Sequence, residues 1–321
     1  MYITQPLALN DIPIYVPRIP IRKVRPDRNG AQAQGRPALS AQQVRIKVRS
    51  AAVNPIDYKL AEFMGQMFFG KAPSVVKPFN VGFDVSGEVV EVGSDVERVK
   101  IGAAVYASTP LNDMGTLAEY LVVDEGFVAL KPSNLSFNQA AALPTVALTA
   151  YAGMTTHAEL KKDDAVLILG GSTAVGMFAI QFAHNIGARV ITTTSTRNVE
   201  LVKSMDVLAR HSVDVLYDCG VEPSSWNDGA QLVLKKSTGR FITLLPMPEP
   251  VKESEFGAQL IGFVSAVDNS AKALEVITKY VEGGKARPVV DSVYPFEKAL
   301  DAYKKLKTNH AQGKLVVQVH A

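Results

Sequence analysis

The sequence contains a single cysteine, Cys219, among 321 residues. One cysteine cannot form an internal disulfide or a cysteine-rich zinc site, and such scarcity is typical of a reducing compartment. The five histidines are scattered along the chain and no pair has the spacing of metal ligands. These two observations predict a protein without a metal centre. Cys219 itself stands at the end of a predicted strand, 213–218, and as a buried apolar residue it needs no reactivity.

The sequence lacks an excess of charge of either sign, because 34 Lys and Arg face 31 Asp and Glu for a net charge of +3. It also lacks a basic run interleaved with aromatic residues, so a nucleic-acid partner is not expected. The first residues show no basic segment followed by an apolar core, which predicts no signal peptide and a cytoplasmic protein. The apolar stretch 165–183 is interrupted by the turn Gly170–Thr173, which is costly in lipid, so we expect no membrane segment.

What is present is ordinary globular composition, with 47% hydrophobic and 20% charged residues, in a length that favours two domains. Before about residue 136, β-branched runs separated by Gly and Ser-Asp turns predict a small antiparallel barrel or sandwich. After it, strands alternate with helices, which predicts βαβ units and a parallel sheet. The fold class is therefore α/β, a doubly wound Rossmann sheet with a β-rich second domain.

The predicted elements follow from periodicity. Alternation predicts a half-buried strand at Val44–Arg49, and a continuous apolar run predicts a buried strand at Ala165–Leu169. A capping-box signature at Ser136 predicts a helix that continues to Tyr151. Further elements are the strands 189–194, 213–218, 239–245, 289–294 and 314–319 and the helices 175–186, 198–205, 226–235, 272–282 and 296–306.

A glycine-containing turn joins the strand Ala165–Leu169 to the next helix. Backbone N–H groups at a helix N-terminus can bind a pyrophosphate, and glycines allow the tight turn and the close approach. The turn predicts a dinucleotide site, although a purely structural turn stays open as an alternative. The spacing is imperfect, because Thr173 stands where G-x-G-x-x-G has its middle glycine. The residues assigned to this turn are Gly170, Gly171, Ser172, Thr173, Ala174 and Val175.

The end of the second strand lacks the carboxylate that binds the ribose 2′-hydroxyl of NAD. It carries hydroxyl residues followed by Arg197 instead. Arg binds phosphate oxygens bidentately, so Thr194, Ser195 and Arg197 predict NADPH in preference to NADH. A solvent-facing arginine at a helix start is the alternative interpretation.

A second class of function fits the same turn. Gly170–Ala174 resembles a G-x-S-x-G nucleophile elbow with its last glycine replaced. Asp218 and His310 follow in the order that a serine hydrolase would need. The missing glycine and the absence of an HGGG-type oxyanion loop argue against this hypothesis.

Several motifs together resemble a known family. They are AVNPIDYK at 52–59, VGFDVSGEVV at 81–90, GTLAEY at 115–120, AALPTVALTAY at 141–151 and HAQGKLVV at 310–317. With the glycine turn, they identify the chain as similar to zinc-independent medium-chain dehydrogenases/reductases of the quinone oxidoreductase group, which includes zeta-crystallin-like proteins and enone reductases. The resemblance runs from about Val44 to the end of the chain.

The resemblance implies a GroES-like catalytic domain made of residues 1–135 and 285–321, and a Rossmann domain of residues 136–284 with a cleft between them. It implies NADPH:quinone oxidoreductase or enone reductase activity by metal-free, direct hydride transfer, and a homodimer. In zinc-dependent relatives a metal-binding cysteine stands at the position of Asn54 and a His-Glu pair at Phe83–Asp84. The resemblance also implies that Thr145, Cys219, Phe263 and Lys314 line the cofactor.

Three residues are predicted to act on the substrate. Asn54 and Lys59 are expected near the substrate oxygen and the nicotinamide, and Tyr58 is the alternative proton donor. Lys59 carries a cation on a flexible stem, which suits a developing oxyanion. A solvated lysine at a helix is the alternative for Lys59.

Two departures from the family pattern motivate a second hypothesis. Thr173 brings a side chain to the pyrophosphate site, and only seven residues, 206–212, connect the second helix to the third strand. A βα unit does not fit there, so the Rossmann sheet is expected to lack an edge strand. A non-catalytic NADPH-binding or interaction protein derived from the same family is therefore the alternative. For the dimer, Arg240–Leu245 or Phe256–Val267 is the predicted sheet-edge segment.

Overall fold

The computed structural model describes residues 7–9, 12–15, 38–60, 62, 79–193, 208–263 and 270–320. It contains two compact units: unit 1 is Met1–Pro144 with Ser292–Ala321, and unit 2 is Thr145–Asp291. The sequence predicts boundaries after residues 135 and 284. In the structure the short helix Phe137–Ala141, which follows the first predicted boundary, belongs to unit 1. Two hydrogen bonds attach it there: Ser50 Oγ donates to Asn138 Oδ1 at 2.5 Å, and Ser86 Oγ donates to the Phe137 carbonyl at 2.6 Å.

The described residues form strands and helices in the predicted alternation. The strands are β1 Leu7–Leu9, β2 Ile12–Tyr15, β3 Gln43–Ala52, β4 Phe79–Asn80, β5 Asp84–Val92, β6 Ala104–Ser108, β7 Tyr120–Asp124, β8 Val128–Leu130, β9 Ala165–Leu169, β10 Arg189–Thr192, β11 Val215–Asp218, β12 Arg240–Thr243, β13 Gln259–Phe263, β14 Val290–Pro295 and β15 Lys314–Gln318. The α-helices are α1 Pro55–Lys59, α2 Phe137–Ala141, α3 Pro144–Ala152, α4 Ala174–Ile186, α5 Gln231–Val233, α6 Ala271–Glu282 and α7 Ala299–Lys307. Single turns of 3-10 helix span Leu111–Asp113, Glu125–Phe127 and Phe296–Lys298, and π-helical turns span Gly153–His157 and Trp226–Ala230.

Unit 1 is built on a seven-stranded sheet with the order β14-β15-β3-β5-β6-β8, in which β7 also pairs with β3. The pairs of β3 with β5, β7 and β15 are antiparallel. A separate small sheet has the order β1-β2-β4. Val44, Ile46 and Val48 of β3 point into a buried core with valines of β5 and β6, as the predicted alternation requires. A second core packs Tyr303 of α7 against the β3–β15 side of the sheet.

Unit 2 is a five-stranded parallel sheet with the order β10-β9-β11-β12-β13. The inner strand β9, between β10 and β11, is buried at every position, which confirms its prediction. β10 ends the sheet in the described part of the chain, and residues 194–207, which include the start of the connection predicted to lack an edge strand, lie outside that part. Arg240–Leu245 is not a sheet edge, contrary to one of the two predictions, because β12 lies between β11 and β13.

Two predicted helices are interrupted. The helix predicted from Ser136 to Tyr151 is two helices, since Pro144 lacks an N–H and disfavours helical geometry in the residue before it. The helix predicted at 226–235 is a π-helical turn followed by α5, with Gly229 at φ 141°. The capping box at Ser136 is confirmed, because Ser136 Oγ accepts from the Gln139 N–H and Gln139 Oε1 accepts from the Ser136 N–H. The predicted helix 198–205 lies outside the described residues.

Candidate active site

The turn between β9 and α4 requires glycine. Gly170 adopts φ +82°, which L side chains rarely adopt. A Cβ atom on Gly176 would lie 2.2 Å from the Gly170 carbonyl oxygen, and one on Gly171 would lie 2.0 Å from Thr192 Oγ1. The first turn of α4 therefore packs directly on the backbone that precedes it.

Thr173 is the N-cap of α4. Its Oγ1 accepts a hydrogen bond from the Gly176 N–H at 3.0 Å and donates to the Gly170 carbonyl at 2.8 Å. The sequence suggests that this side chain crowds the pyrophosphate. In the structure it folds back on the turn, where a hydroxyl N-cap satisfies one of the free N–H groups of the helix. Thr173→Gly or Thr173→Ala would remove this cap.

Two backbone N–H groups at the N-terminus of α4 are candidate ligands for an anion. Among the described residues, no acceptor lies within hydrogen-bonding distance of the backbone N–H groups of Ala174 and Val175. The helix is 13 residues long, so its partial positive charge adds to these two donors. Two directed N–H groups beside a glycine turn fit the pyrophosphate of a dinucleotide.

The end of β10 is joined to the same turn. The Thr193 carbonyl accepts from the Gly171 N–H at 2.8 Å, and Thr193 Oγ1 accepts from the Gly170 N–H at 3.1 Å. The structure thus brings the second strand to the glycine turn, as a dinucleotide site needs. The predicted 2′-phosphate ligands Thr194, Ser195 and Arg197 lie outside the described residues.

The remaining predicted cofactor residues of unit 2 occupy separate places. Cys219 follows β11 and its N–H donates to the Leu169 carbonyl at 3.1 Å, so it lies beside the end of β9. Burial raises the pKa of its thiol, and this agrees with an unreactive apolar residue. Thr145 is half-buried in the first turn of α3, and Phe263 is the last residue of β13.

Two of the three predicted catalytic residues, Tyr58 and Lys59, lie on α1. Tyr58 and Lys59 are half-buried. Within the described ranges, neither the Tyr58 hydroxyl nor the Lys59 ammonium has a hydrogen-bond partner, while the Lys307 ammonium lies 5.0 Å from the Tyr58 ring centroid. Burial lowers the pKa of Lys59, whereas burial and the nearby Glu62 carboxylate raise the pKa of Tyr58. Burial thus favours the neutral form of both side chains.

Asn54, the third predicted catalytic residue, is buried and occupied. Its side-chain Oδ1 accepts from the Lys314 ammonium, and its Nδ2 donates to Asp84 Oδ2 at 2.9 Å. Its backbone N–H donates to Asp57 Oδ2 at 2.8 Å. The structure thus places Asn54 at the start of α1 with both ends of its amide in use.

Lys314, a predicted cofactor ligand, is only 4% exposed. Its ammonium donates to Asp84 Oδ2 at 2.9 Å, to the Val53 carbonyl at 3.0 Å and to Asn54 Oδ1. A lysine has three N–H donors, and these three acceptors use all of them. Sequence reasoning gave Asp84 no role in this cluster; the one available signal was its place, with Phe83, at the position of the His-Glu pair of zinc-dependent relatives.

Asp57 is a second buried carboxyl, which the sequence predicts to orient its neighbours and not to transfer a proton. The Tyr303 hydroxyl donates to its Oδ2 at 2.8 Å, and Oδ1 has no hydrogen-bond partner in the part of the chain that the structure describes. Burial raises the pKa of Asp57 to about 7, against the lowering effect of the Asn54 N–H, the Tyr303 hydroxyl and Lys314. The cluster therefore holds a carboxyl that takes up a proton near neutral pH.

Comparison with known proteins identifies the family. Residues 40–133 match the alcohol dehydrogenase GroES-like domain, and residues 186–317 match the family described as zinc-binding dehydrogenase. The chain is 35% identical over 299 residues to the "NADPH-dependent alkenal/one oxidoreductase, chloroplastic" of Arabidopsis thaliana, with 88% of this chain and 73% of that protein covered. It belongs to the quinone oxidoreductase group of medium-chain dehydrogenases/reductases. The predicted family and α/β fold are confirmed.

Two further relatives agree with this membership. The "2-methylene-furan-3-one reductase" of Solanum lycopersicum is 36% identical, with 88% of this chain and 73% of that protein covered. The solved structure of the quinone oxidoreductase from Coxiella burnetii is 31% identical with a TM-score of 0.72, covering 88% of this chain and 92% of that chain.

Within this medium-chain dehydrogenase/reductase, the described residues contain no group of three or more His, Cys, Asp or Glu side chains that could hold a metal ion. The amide of Asn54 and the carboxylate of Asp84 enclose the Lys314 ammonium instead. No helix in the described ranges is long and apolar enough to cross a lipid bilayer.

The hydrolase hypothesis for this turn has no support from Asp218. Its Oδ1 accepts from the N–H groups of Val221 and Glu222 at 2.9 and 3.0 Å, and its Oδ2 accepts from Thr243 Oγ1 at 2.7 Å. Asp218 therefore stabilises the turn after β11, and these hydrogen bonds occupy both oxygens that a catalytic triad would use to orient a histidine.

The buried carboxyl of Asp57 predicts a pH-dependent stability. Its pKa is about 7 in the folded protein and 3.8 without burial, so the folded state keeps a proton that the unfolded state loses. The free energy of unfolding should fall by up to about 1.4 kcal/mol per pH unit between pH 4 and 7 and level off above. Asp57→Asn should remove this slope, as measured by urea unfolding across pH. The exposed Asp163→Asn serves as control, and an equal slope in wild type and Asp57→Asn would contradict the prediction.

Proposed function

We propose that this chain catalyses the NADPH-dependent reduction of α,β-unsaturated carbonyl compounds or quinones. The observation that carries the proposal is the similarity, over 88% of the chain, to relatives named as an NADPH-dependent alkenal/one oxidoreductase and a 2-methylene-furan-3-one reductase. The glycine turn of unit 2 and the donors on α1 supply the chemistry that such a reaction needs.

Unit 2 provides the nucleotide site. The N–H groups of Ala174 and Val175 would bind the pyrophosphate, and the hydroxyl and guanidinium groups of Thr194, Ser195 and Arg197 would bind the 2′-phosphate. Bound NADPH supplies a hydride. Gly170, Gly171 and Gly176 allow the close backbone packing that would present these N–H groups to the cofactor.

Unit 1 provides the groups that act on the substrate. Hydride addition to the β-carbon of an enone, or to a quinone, leaves negative charge on the carbonyl oxygen. The Lys59 ammonium stabilises that oxyanion, and the Tyr58 hydroxyl is the alternative proton donor. An enone gains one hydride and one proton, so its carbon–carbon double bond becomes a single bond; a quinone gains the same hydride and proton and becomes a hydroquinone.

A binding and activity assay tests the proposal. NADPH and NADH are titrated by fluorescence, and a panel of alkenals, enones and quinones is then assayed for nicotinamide oxidation, with the products identified by mass spectrometry. A saturated carbonyl or a hydroquinone formed with NADPH is the expected result. Tight NADPH binding without turnover would favour the non-catalytic alternative, and no binding of either nucleotide would favour an interaction protein.

Arg197 should set the cofactor preference. A charge-assisted hydrogen bond contributes about 1.5–3 kcal/mol, so Arg197→Ala should weaken NADPH binding roughly 10- to 100-fold. NADH has no 2′-phosphate, so its binding should stay unchanged. Parallel titrations of both nucleotides measure the ratio. An equal loss for both would mean that Arg197 does not contact the 2′-phosphate.

The reaction is proposed to be independent of zinc. The side chains of Asn54, Asp84 and Lys314 do not suit a Zn²⁺ ion, because the Lys314 ammonium repels a cation and already neutralises the Asp84 carboxylate. Activity that survives dialysis against a chelator, with less than one zinc per chain by elemental analysis, is the expected result. Loss of activity that added zinc restores would overturn this point.

The protein is proposed to form a homodimer through β13. This strand is one edge of the unit 2 sheet, and Leu260 and Ile261 on it are 36% and 37% exposed. Two copies can continue the sheet across a two-fold axis. Light scattering coupled to size exclusion should give twice the chain mass of 34.6 kDa, and a monomer mass would contradict the proposal.

A further inference from the structure

The cluster around Lys314 lies on three adjacent strands of the unit 1 sheet. Lys314 begins β15, Asp84 begins β5, and Asn54 lies two residues after β3, which is the strand between them. The side chains of Lys314, Asp84 and Asn54 are 4%, 0% and 3% exposed. The Lys314–Asp84 ion pair is therefore shielded from solvent, and its two residues lie on strands that are hydrogen-bonded to β3.

Asn54 connects the Lys314–Asp84 ion pair to α1. Its side chain bridges Lys314 and Asp84, while its backbone N–H bonds Asp57 Oδ2. Asp57 in turn accepts from the Tyr303 hydroxyl of α7. The start of α1 is thus tied to β15, β5 and α7 by hydrogen bonds from a few consecutive residues.

The helix needs these ties. With five residues, α1 is too short to be stable by itself. The two groups proposed to act on the substrate, Tyr58 and Lys59, form its last two positions. A displacement of about 1 Å in a reacting group can cost on the order of 100-fold in rate.

We propose that Lys314 is a positioning residue, which holds Asn54 between itself and Asp84 and thereby fixes α1 where Tyr58 and Lys59 can act. This inference rests on the proposed reductase function. It assigns Lys314 a task other than the predicted contact with the cofactor, because all three of its donors are in use.

The test uses variants that separate positioning from stability. Lys314→Met leaves Asp84 buried without its counterion, so a lower unfolding midpoint is expected for it. The double variant with Lys314→Met and Asp84→Asn removes both charges and should regain most of that stability. We expect this double variant to lose about 10-fold or more in kcat, with the KM for NADPH within about twofold of wild type.

A control and two further measurements complete the design. The matched control removes the Lys235–Asp214 ion pair of unit 2, which has an N–O distance of 2.7 Å, with Lys235→Met and Asp214→Asn. Hydrogen exchange of residues 54–60 should be faster in the Lys314/Asp84 double variant and unchanged in the control. In a Lys59→Met background, the kcat loss from the double variant should shrink, since both changes affect the same group.

The outcomes are distinct. Wild-type kcat in the double variant, or unchanged hydrogen exchange at 54–60, would overturn the positioning role while leaving the reductase function intact. A raised KM for NADPH with normal kcat would assign Lys314 to the cofactor instead. An inactive wild type would overturn the proposed function, and the exchange data would still decide whether Lys314 holds α1 in place.

Discussion

Replacing Gly176 with alanine should weaken NADPH binding at least about 100-fold. The added Cβ would lie 2.2 Å from the Gly170 carbonyl oxygen, which is backbone and cannot rotate away. The first turn of α4 must then move, and the N–H groups of Ala174 and Val175 move with it. Loss of two charge-assisted hydrogen bonds corresponds to roughly 3 kcal/mol or more, so the Kd should rise at least about 100-fold. Fluorescence titration with NADPH measures the effect.

A glycine elsewhere in unit 2 provides the control. Gly283 at the end of α6 has φ −76°, and a Cβ there would come no closer than 3.1 Å to another atom. Gly283→Ala should leave NADPH affinity within about twofold, because this position is outside the turn. If Gly176→Ala bound NADPH as tightly as wild type, the turn between β9 and α4 would not be the pyrophosphate site.

Lys59→Met should reduce kcat for enones by about 100- to 1000-fold, the usual effect of removing one oxyanion donor. Methionine keeps the length and apolar packing of the stem and removes the charge. The Kd for NADPH should not change. Because burial lowers the pKa of Lys59 from the ordinary value of 10.5, wild-type activity should fall with rising pH before that value is reached, and the variant should lack this alkaline limb. Steady-state kinetics across pH measures both effects.

Two further variants, at an exposed lysine and at the neighbouring Tyr58, test whether the loss of kcat is specific to Lys59. Lys100→Met, at an exposed position of unit 1, should leave kcat unchanged. Tyr58→Phe tests the alternative donor: if it costs far more than Lys59→Met, the hydroxyl carries the main role. Wild-type rates in both Lys59→Met and Tyr58→Phe would exclude α1 from the chemistry.

Local patterns explain why much of unit 2 was predictable. A continuous apolar run defines β9, glycines mark the turn, and the apolar face of α4 continues to Gly187, which adopts the left-handed conformation of a helix C-terminus. The errors have equally local causes. Pro144 divides one predicted helix into two, and Gly229 interrupts another.

In the candidate site, too, the local features were predictable and the contacts between distant residues were not. Tyr58 and Lys59 are found on one short helix, and the glycine turn has the predicted strand–turn–helix form. Asn54 and Lys314 were singled out, but as substrate and cofactor ligands. The structure joins them to each other and to Asp84, and no spacing in the sequence expresses that contact.

The sequence by itself determined the α/β class, the family, the glycine turn with its N–H donors and the two polar groups on α1, because each depends on residues close together in the chain. Only the tertiary structure decided how Lys314 is used. Lys314 meets Asp84 across 230 residues and Asn54 across 260, and Tyr303 meets Asp57 across 246. Such partners are chosen when β3, β5, β15 and α7 assemble, since burying an ammonium or a carboxylate requires a partner that only the packed sheet provides.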